Sequence, residues 1–307
     1  MKNVKKWFAI IVFLLPGLLL FIGILIAPIA VSAYRSLFDW DGFTEGTFIW
    51  FKNYKELFTS KSIMFGNALK NSLILAFFSV FVQLPIALGL ALLLGRKIKG
   101  EKFFLSVFFM PVLISTVVIG QLWLKIYNPD YGLVNQLLDL LHLENLKHVW
   151  VAEVEPIGIF KNVPFLKNIP IALGSIIVPT IWQYVGYHML LMYAGVKGVS
   201  TDLREAAMLD GATAGQIDRY IVIPTIKPII RVSVIFAVTG SLKTYDLVRI
   251  LTNGGPFQKT QVPSTLLEDM LFLRNRYGMG STISVMLILL CFAFALVITA
   301  VFRERDK

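Results

Sequence analysis

Charged residues are scarce in this chain. They make up 16% of its 307 residues, whereas soluble domains carry about 25%, and 56% of the residues are hydrophobic. The mean hydropathy is correspondingly high, at +0.72. A soluble core of this length could not bury so much apolar surface, so part of the surrounding solvent must be lipid.

Residues that could bind a metal or perform catalysis are also few. The single cysteine, Cys291, lies inside an apolar run, which excludes a disulfide framework and indicates a packing role. The three histidines, His142, His148 and His188, lack metal-ligand spacing. No Gly-x-x-x-x-Gly-Lys-Ser/Thr phosphate loop occurs, so this chain does not hydrolyse ATP itself. We expect a non-catalytic protein with no cofactor of its own.

Six apolar runs are long enough, or nearly so, to cross a bilayer at about 20 residues each. They cover residues 7–33, 69–94, 103–127, 169–196, 229–250 and 279–302. The first run resembles a signal peptide, but its apolar stretch is too long for one, and we interpret it as an uncleaved span. The sequence therefore predicts an all-α membrane protein with a single transmembrane domain over residues 1–307.

The net charge of +10 is concentrated in short segments between the predicted spans. Basic clusters occur near the N-terminus, at 96–102 and at 303–307, and all three fall on one side if the six spans are real. The positive-inside rule makes that side cytoplasmic, so both termini are expected there. The loop at 34–66, assigned outside, also keeps several basic residues. The distribution fits membrane topology better than a nucleic-acid-binding face.

A polar segment rich in small residues, at 200–224, interrupts the apolar runs on the predicted cytoplasmic side. Asp202 with Glu205 three residues later is close to a capping box, which predicts the start of a short helix. Gly211 is the residue type that ends a helix in the left-handed conformation. These local signals alone fit either a docking element or a well-capped connector at the membrane surface.

A second short helix is predicted directly after the first. Thr213 and Gln216 have capping-box spacing, and Pro224 and Pro228 are expected to stop the helix and set the entry to the fifth span. Small residues are expected to form the exposed face between the two helices: Ala206, Ala207, Gly211 and Ala212.

The pattern Glu-Ala-Ala, Asp-Gly-Ala and Ile-x-x-Pro-x-x-x-Pro within 205–228 resembles the signature loop of membrane subunits of binding-protein-dependent ABC importers. The resemblance implies a type I importer permease fold whose cytoplasmic coupling helix seats in the ATP-hydrolysing subunit. The residues that it assigns to this contact are Glu205, Ala206, Ala207, Asp210 and Gly211. The family often has an aromatic residue where this chain has Asp218.

The segment Leu251-Thr-Asn-Gly-Gly-Pro256 resembles the carbohydrate subfamily, of maltose type and glycerol-phosphate type, and is typical of the first of two paired permeases. The resemblance covers essentially the whole chain. It implies a bacterial or archaeal cytoplasmic membrane protein that works with a second permease, two ATPase subunits that bind ATP and magnesium, and an extracytoplasmic solute-binding protein.

Uncharged polar and aromatic residues follow one face of the predicted fourth and fifth spans. Thr180, Gln183, Tyr184 and Tyr187 have i, i+3, i+4, i+7 spacing, and Ser241, Thr244 and Tyr245 repeat it. Hydroxyls, amides and rings suit a neutral polyhydroxy ligand, and in related maltose-type permeases the substrate site lies at these places. The same residues could instead hydrogen-bond between helices.

Three charged residues, Lys243, Asp246 and Arg249, follow the fifth span. They either pair with one another or contact an anionic substrate such as a glycerophosphodiester. Asp246 would also be the coupling-ion site if the chain were a stand-alone secondary transporter. Gln83, next to Pro85, is interpreted as packing. One interpretation of the loop at 128–168 is that it contacts the solute-binding protein through Trp150, Phe160 and Phe165.

Overall fold

The structure, a computed structural model, describes residues 2–96, 98–160 and 163–303. Its first part consists of α1 (Lys2–Leu20), a π-helical turn (Phe21–Ile26), α2 (Ala27–Arg35), β1 (Phe38–Asp39), β2 (Thr47–Phe48) and α3 (Lys52–Thr59). The next part consists of α4 (Phe65–Phe78), a π-helical turn (Ser79–Gln83), α5 (Leu84–Gly95), α6 (Glu101–Leu113), α7 (Thr116–Ile126), α8 (Leu133–Leu140), 3-10 turns (Glu144–Leu146 and Gly158–Phe160) and α9 (Ile171–Gly198).

The last part consists of α10 (Thr201–Leu209), α11 (Ala214–Ile217), a π-helical turn (Asp218–Val222), α12 (Ile223–Thr225), α13 (Lys227–Leu242), α14 (Asp246–Leu251), α15 (Pro263–Glu268), a π-helical turn (Asp269–Leu273) and α16 (Tyr277–Val301). The contacts divide the chain into two compact units, Met1–Met64 with Leu266–Leu289, and Phe65–Thr265 with Leu290–Lys307. Both α15 and α16 therefore contribute residues to each unit.

The first unit contains a short antiparallel hairpin that the all-α prediction did not include. Strands β1 and β2 pair with Phe38 opposite Phe48 and Asp39 opposite Thr47. The buried Asn53 amide fixes the chain before the hairpin by donating to the carbonyls of Ser36 and Phe38, at 3.0 and 2.8 Å. A buried amide that donates both protons to backbone carbonyls specifies local geometry, because either bond left unmade would cost free energy.

In the second unit α9 forms the centre of two hydrophobic clusters. One cluster packs Met189 of α9 against Ala87 and Ala91 of α5, all fully buried, and reaches Val222 beyond α11. The other packs α9 against α4, α7 and α14. Small residues on α5 allow the two helices to approach closely, as in other membrane helix pairs. Residues at both ends of α9 are thereby held in fixed positions.

Among the described residues, three helical segments are long and apolar enough to cross a membrane: Ile10–Arg35, Phe65–Gly95 and Tyr277–Val301. They correspond to the first, second and sixth predicted spans. The number rises to five if two bent helix pairs each count as one span, and these pairs correspond to the third and fifth. The helix at the fourth, α9, has 28 residues but is not among them, since polar side chains lower its hydropathy. The count of six spans stays a prediction.

The third predicted span is not one straight helix. Helices α6 and α7 meet at an angle of 96°. Pro111 lies in the last turn of α6, and Ile114 and Ser115 take extended backbone conformations at the break. A proline removes a backbone donor and clashes with the preceding turn, which favours such a break. The bend places Thr116, the first residue of α7, beside α9, where it accepts a hydrogen bond from Gln183.

Candidate coupling element and substrate cavity

The 200–224 segment forms the predicted pair of short helices, but its first cap differs from the prediction. Ser200 is the N-cap of α10, and its hydroxyl accepts a hydrogen bond from the backbone N–H of Asp202 at 3.2 Å. Asp202 lies inside the first turn, where its charge favours the positive end of the helix dipole. The prediction that Asp202 caps the helix is wrong because a serine two residues earlier already takes that place.

The end of α10 confirms the prediction for Gly211. This glycine has φ +80°, and its N–H donates to the carbonyl of Met208 at 3.0 Å. The N–H of Ala212 donates to the carbonyl of Ala207 at 2.9 Å, which completes a Schellman motif. Only glycine adopts this conformation without strain, so the residue type is required for a sharp end to the helix.

The second helix begins as predicted and ends differently. Thr213 and Gln216 form a full capping box, in which the Thr213 N–H donates to Gln216 Oε1 at 2.7 Å. Pro224 does not stop the helix, since helical turns continue through Thr225 and the chain then bends by 70° at Ile226. A π-helical turn, Asp218–Val222, directly precedes Ile223 and Pro224, and such a turn shifts the hydrogen-bond register where a residue without a backbone N–H must fit.

Four of the five predicted contact residues are exposed on α10 and its C-terminal end: Glu205, Ala206, Asp210 and Gly211. Ala207 is half-buried and, together with Ala212, packs against the hydrophobic cluster below, so it is not on the exposed face that the sequence predicted. Leu209 is 90% exposed at the tip of α10, and Leu203 and Met208 are also exposed. A helix tip that presents apolar side chains to solvent is typical of a docking surface.

Polar contacts brace this segment against the helices around it. The Asp218 carboxylate pairs with Arg96 in the link between α5 and α6. The Arg204 guanidinium donates to the Val196 carbonyl near the end of α9. Lys197, on the last turn of α9, is 3.0 Å from the Glu101 carboxylate at the start of α6. The first two contacts tie the segment to the link between α5 and α6 and to α9, and the third ties α9 to α6.

A cavity of about 410 Å³ lies in the second unit where α9, α13, the α6–α7 break and the turn after α4 come together. Six of the seven predicted substrate-path residues line it: Thr180, Tyr184, Tyr187, Ser241, Thr244 and Tyr245. Gln183 is not among the lining residues; its side chain is buried and donates to Thr116 at 3.2 Å. The structure therefore favours the interpretation that Gln183 forms a hydrogen bond between helices.

Hydroxyl groups in the cavity keep acceptor capacity. Thr180, Ser241 and Thr244 each donate to the carbonyl four residues earlier in the chain, at 2.8, 2.8 and 3.2 Å. Their oxygen lone pairs remain available to a ligand hydroxyl. The rings of Tyr187 and Phe236 lie 6.3 Å apart at the wall and offer apolar faces. The arrangement can hold a molecule that has both hydroxyl groups and apolar faces.

Sequence reasoning missed four polar lining residues: Ser79, Gln83, Thr116 and His188. Gln83 was interpreted as packing, and its i, i+4 spacing from Ser79 is the signal that could have placed both on one helix face. The Gln83 side-chain oxygen is buried and has no hydrogen-bond partner among the described residues. An unpaired buried acceptor costs about 1–3 kcal/mol, so a water or a ligand hydroxyl at this place is favoured.

Two opposite charges, Lys243 and Asp246, also line the cavity, and both side chains are exposed. Arg249 does not lie among the described residues that line it. The charged residues of the lining are therefore one cation and one anion, so the lining has no excess of positive charge.

Asn135 and Trp150 hold the loop at 128–168 together from within. The buried Asn135 amide donates to the carbonyls of Pro129 and His148, at 3.1 and 3.2 Å. The Trp150 indole N–H donates to Asn135 Oδ1 at 2.8 Å, and its ring stacks on Tyr127. Trp150 therefore fixes the loop, and its proposed role as a contact for another protein has no support from its position.

Residues 83–307 match the family described as the inner membrane component of binding-protein-dependent transport systems. The chain is 35% identical to the probable ABC transporter permease protein YurN of Bacillus subtilis over 298 residues, which cover 96% of each chain. It is 27% identical to the trehalose/maltose transport system permease protein MalF of Thermococcus litoralis, over 95% of this chain and 92% of that one. The protein belongs to the ABC transporter permease family and is an integral membrane protein.

The fold agrees with this assignment. A bacterial ABC transporter involved in the import of the acidic polysaccharide alginate contains a chain that superimposes with a TM-score of 0.80 at 22% sequence identity. The match covers 100% of this chain and 99% of that one. The type I importer permease fold expected from the sequence is thereby confirmed.

Proposed function

We propose that this protein is the permease subunit of an ATP-driven importer, and that it translocates a sugar or oligosaccharide through the cavity between α9 and α13. The cavity lining carries this proposal, since it combines uncharged hydroxyl groups with exposed tyrosine rings. Neutral polyhydroxy ligands need hydrogen-bonding groups for their hydroxyls and apolar rings for their faces. The named relative that transports trehalose and maltose supports the same substrate class.

The 200–224 segment is proposed to couple ATP hydrolysis to movement of the cavity walls. Helix α9 ends at Gly198, three residues before α10 begins, and α13 begins directly after the bend at Ile226. The two helices that flank the segment therefore carry most of the cavity's predicted polar residues. A force applied to α10 by an ATPase subunit would reach both walls through these short connections. The 200–224 segment would then act as the rigid-body element that alternating access requires.

The proposed assembly contains a second, similar permease, two ATPase subunits on the cytoplasmic side and an extracytoplasmic binding protein that delivers the sugar. ATP and magnesium would be bound by the ATPase subunits. Both termini of this chain and the 200–224 segment are assigned to the cytoplasm, on the basis of its basic clusters. The exposed apolar tip at Leu209 supports docking of another protein at this place.

A charged substrate remains the second candidate. The observation in its favour is Lys243, a cation at the cavity wall, but Asp246 of opposite charge lies at the same wall. An anionic phosphodiester would be repelled by Asp246 and attracted by Lys243, so the balanced lining favours a neutral ligand. A sugar with a single charged group is compatible with both residues.

Reconstitution tests the proposal. The complex, assembled with its genetically neighbouring permease, ATPase and binding protein, is placed in liposomes and given labelled oligosaccharides, monosaccharides and a glycerophosphodiester. We expect uptake of one sugar class only when ATP and the binding protein are both present. Uptake of the phosphodiester alone would establish the second candidate. Uptake by the purified chain without an ATPase, driven by an ion gradient, would contradict the proposal and identify a secondary transporter.

A further inference from the structure

A second cavity, separate from the substrate cavity, lies at the far end of the seam between α13 and α16. Along this seam Val238 and Leu242 of α13 pack against Leu290, Phe294 and neighbouring residues of α16. The seam ends at a cavity of about 210 Å³. Its lining consists of Lys227, Pro228, Arg231, Phe302 and Arg303. Neither the transport path nor the 200–224 segment includes these residues.

Among the residues that the structure describes, every charged residue in this lining is a cation. Lys227 and Arg231 have i, i+4 spacing, so they occupy the same face of the first turns of α13. Arg303 faces them from the end of α16. Neither Arg231 nor Arg303 forms an ion pair with any residue that the structure describes. Arg231 and Arg303 carry the same charge at one cavity, so an anion between their guanidinium groups would stabilise the arrangement.

The surroundings of the cavity are those of a membrane surface. Helix α16 is one of the helical segments apolar enough to span a membrane, and the cavity lies at its last residues. Val301, at the end of α16, is 75% exposed, and Phe302 contributes an apolar wall. An anion that occupies the cavity would thus have apolar surface on one side and guanidinium groups on the other. That combination matches a phosphate joined to acyl chains.

We propose that the Lys227–Arg231–Arg303 cavity binds the phosphate of an anionic phospholipid, with the guanidinium groups on the phosphate oxygens and the acyl chains along the outside of α16. Arginine is suited to this because its planar fork donates two parallel hydrogen bonds to phosphate oxygens. The leaflet follows from the proposed topology and is cytoplasmic. The binding itself does not depend on transport, so it can be measured on the chain without its partners.

Lipid retention tests this site. The full chain is purified from nanodiscs that contain equal amounts of phosphatidylglycerol and phosphatidylcholine, and the lipids that stay bound are counted by native mass spectrometry. We expect the wild type to retain phosphatidylglycerol preferentially, and the R231Q/R303Q variant to lose that preference by about tenfold. The R231K/R303K variant keeps the charges and should keep most of the preference, which separates charge from folding.

The matched control is K99Q/K102Q, which removes the same charge from two exposed lysines in the link between α5 and α6, outside the cavity. It should retain phosphatidylglycerol like the wild type. An equal loss in both double variants, or a wild type without preference, would overturn the proposal by showing only a general surface attraction. Inorganic phosphate that stabilises the lipid-free wild type and displaces no phosphatidylglycerol would overturn the lipid as the ligand.

Discussion

Arg96 and Asp218 form an ion pair that joins the link between α5 and α6 to the turn after α11. The Asp218 side chain is only 13% exposed, whereas that of Arg96 is 44% exposed. Asp218 departs from the family pattern that this segment resembles, and its ion pair with Arg96 gives the carboxylate a structural role in this chain.

Breaking this pair should loosen the 200–224 segment. We expect Asp218→Ala to lower the melting temperature of the chain in detergent, because Arg96 loses its partner. A double-mutant cycle with Arg96→Ala should give a coupling energy of about 0.5–1 kcal/mol, the range for partly exposed pairs. The exchange R96D/D218R should recover part of the loss. Strictly additive single and double variants would show that the pair contributes nothing.

Close packing of α9 against α6 depends on Gly186. A Cβ atom added at this glycine would lie 1.8 Å from the carbonyl oxygen of Phe108, a backbone atom that cannot rotate away. We expect Gly186→Ala to force the two helices apart and to destabilise the chain by about 1–3 kcal/mol. Gly89→Ala on α5 is the matched control, since nothing lies within 4 Å of its added Cβ. Similar melting temperatures for both variants would be inconsistent with this packing.

Two of the three tyrosines that line the substrate cavity offer a test of its role. Tyr184→Ala and Tyr187→Ala each remove a ring from the cavity wall, and we expect each to raise the substrate concentration for half-maximal uptake about fivefold, equivalent to about 1 kcal/mol. Tyr131, which is 55% exposed in the outer loop, provides the control Tyr131→Ala. If the control reduces uptake as much as the cavity variants, the cavity is not the substrate path.

Acid should weaken the first unit through one ion pair. The Arg276 guanidinium donates to both carboxylate oxygens of Glu56, at 2.8 and 2.7 Å, and these hydrogen bonds hold the pKa of Glu56 below its usual value of 4.5. A lowered folded-state pKa stabilises the fold above the usual pKa, and this stabilisation is lost as the pH falls through the lowered value.

We therefore expect the Glu56→Gln variant to melt below the wild type at neutral pH, with a difference that shrinks as the pH falls below the usual glutamate pKa of 4.5. Melting curves of both proteins in the same detergent across this range measure it. A difference that stays constant with pH would mean that the ionised carboxylate contributes no stability.

Much of the site follows from short-range patterns in the sequence. The capping box at Thr213 and the left-handed Gly211 depend only on neighbouring residues, and both were predicted correctly. The helical spacing of Thr180, Tyr184 and Tyr187 likewise placed them on one face, which lines the cavity. These features could be derived because the physics that fixes them acts within a few residues.

Features that depend on distant residues were not predictable in the same way. Gln183 shares the spacing of its neighbours, but the bend between α6 and α7 places Thr116 within hydrogen-bonding distance and removes Gln183 from the cavity lining. The pairing of Arg96 with Asp218 joins residues that are far apart in sequence. No local pattern specifies either contact, since each requires the packing of whole helices.

A change at the tip of α10 tests whether this helix transmits the work of an ATPase to the substrate cavity. Leu209 is 90% exposed, so Leu209→Asp should leave the permease folded while removing an apolar contact for the ATPase. The control Leu140→Asp alters an equally apolar residue, 78% exposed on α8, away from this tip.

Uptake of labelled sugar by liposomes that contain the assembled importer, with ATP and the binding protein supplied, is the measurement. We predict that Leu209→Asp abolishes ATP-driven uptake and the stimulation of ATP hydrolysis by the loaded binding protein, while Leu140→Asp leaves the coupling of hydrolysis to transport unchanged. Uptake by the Leu209→Asp importer at the wild-type rate would show that α10 does not transmit the work of the ATPase.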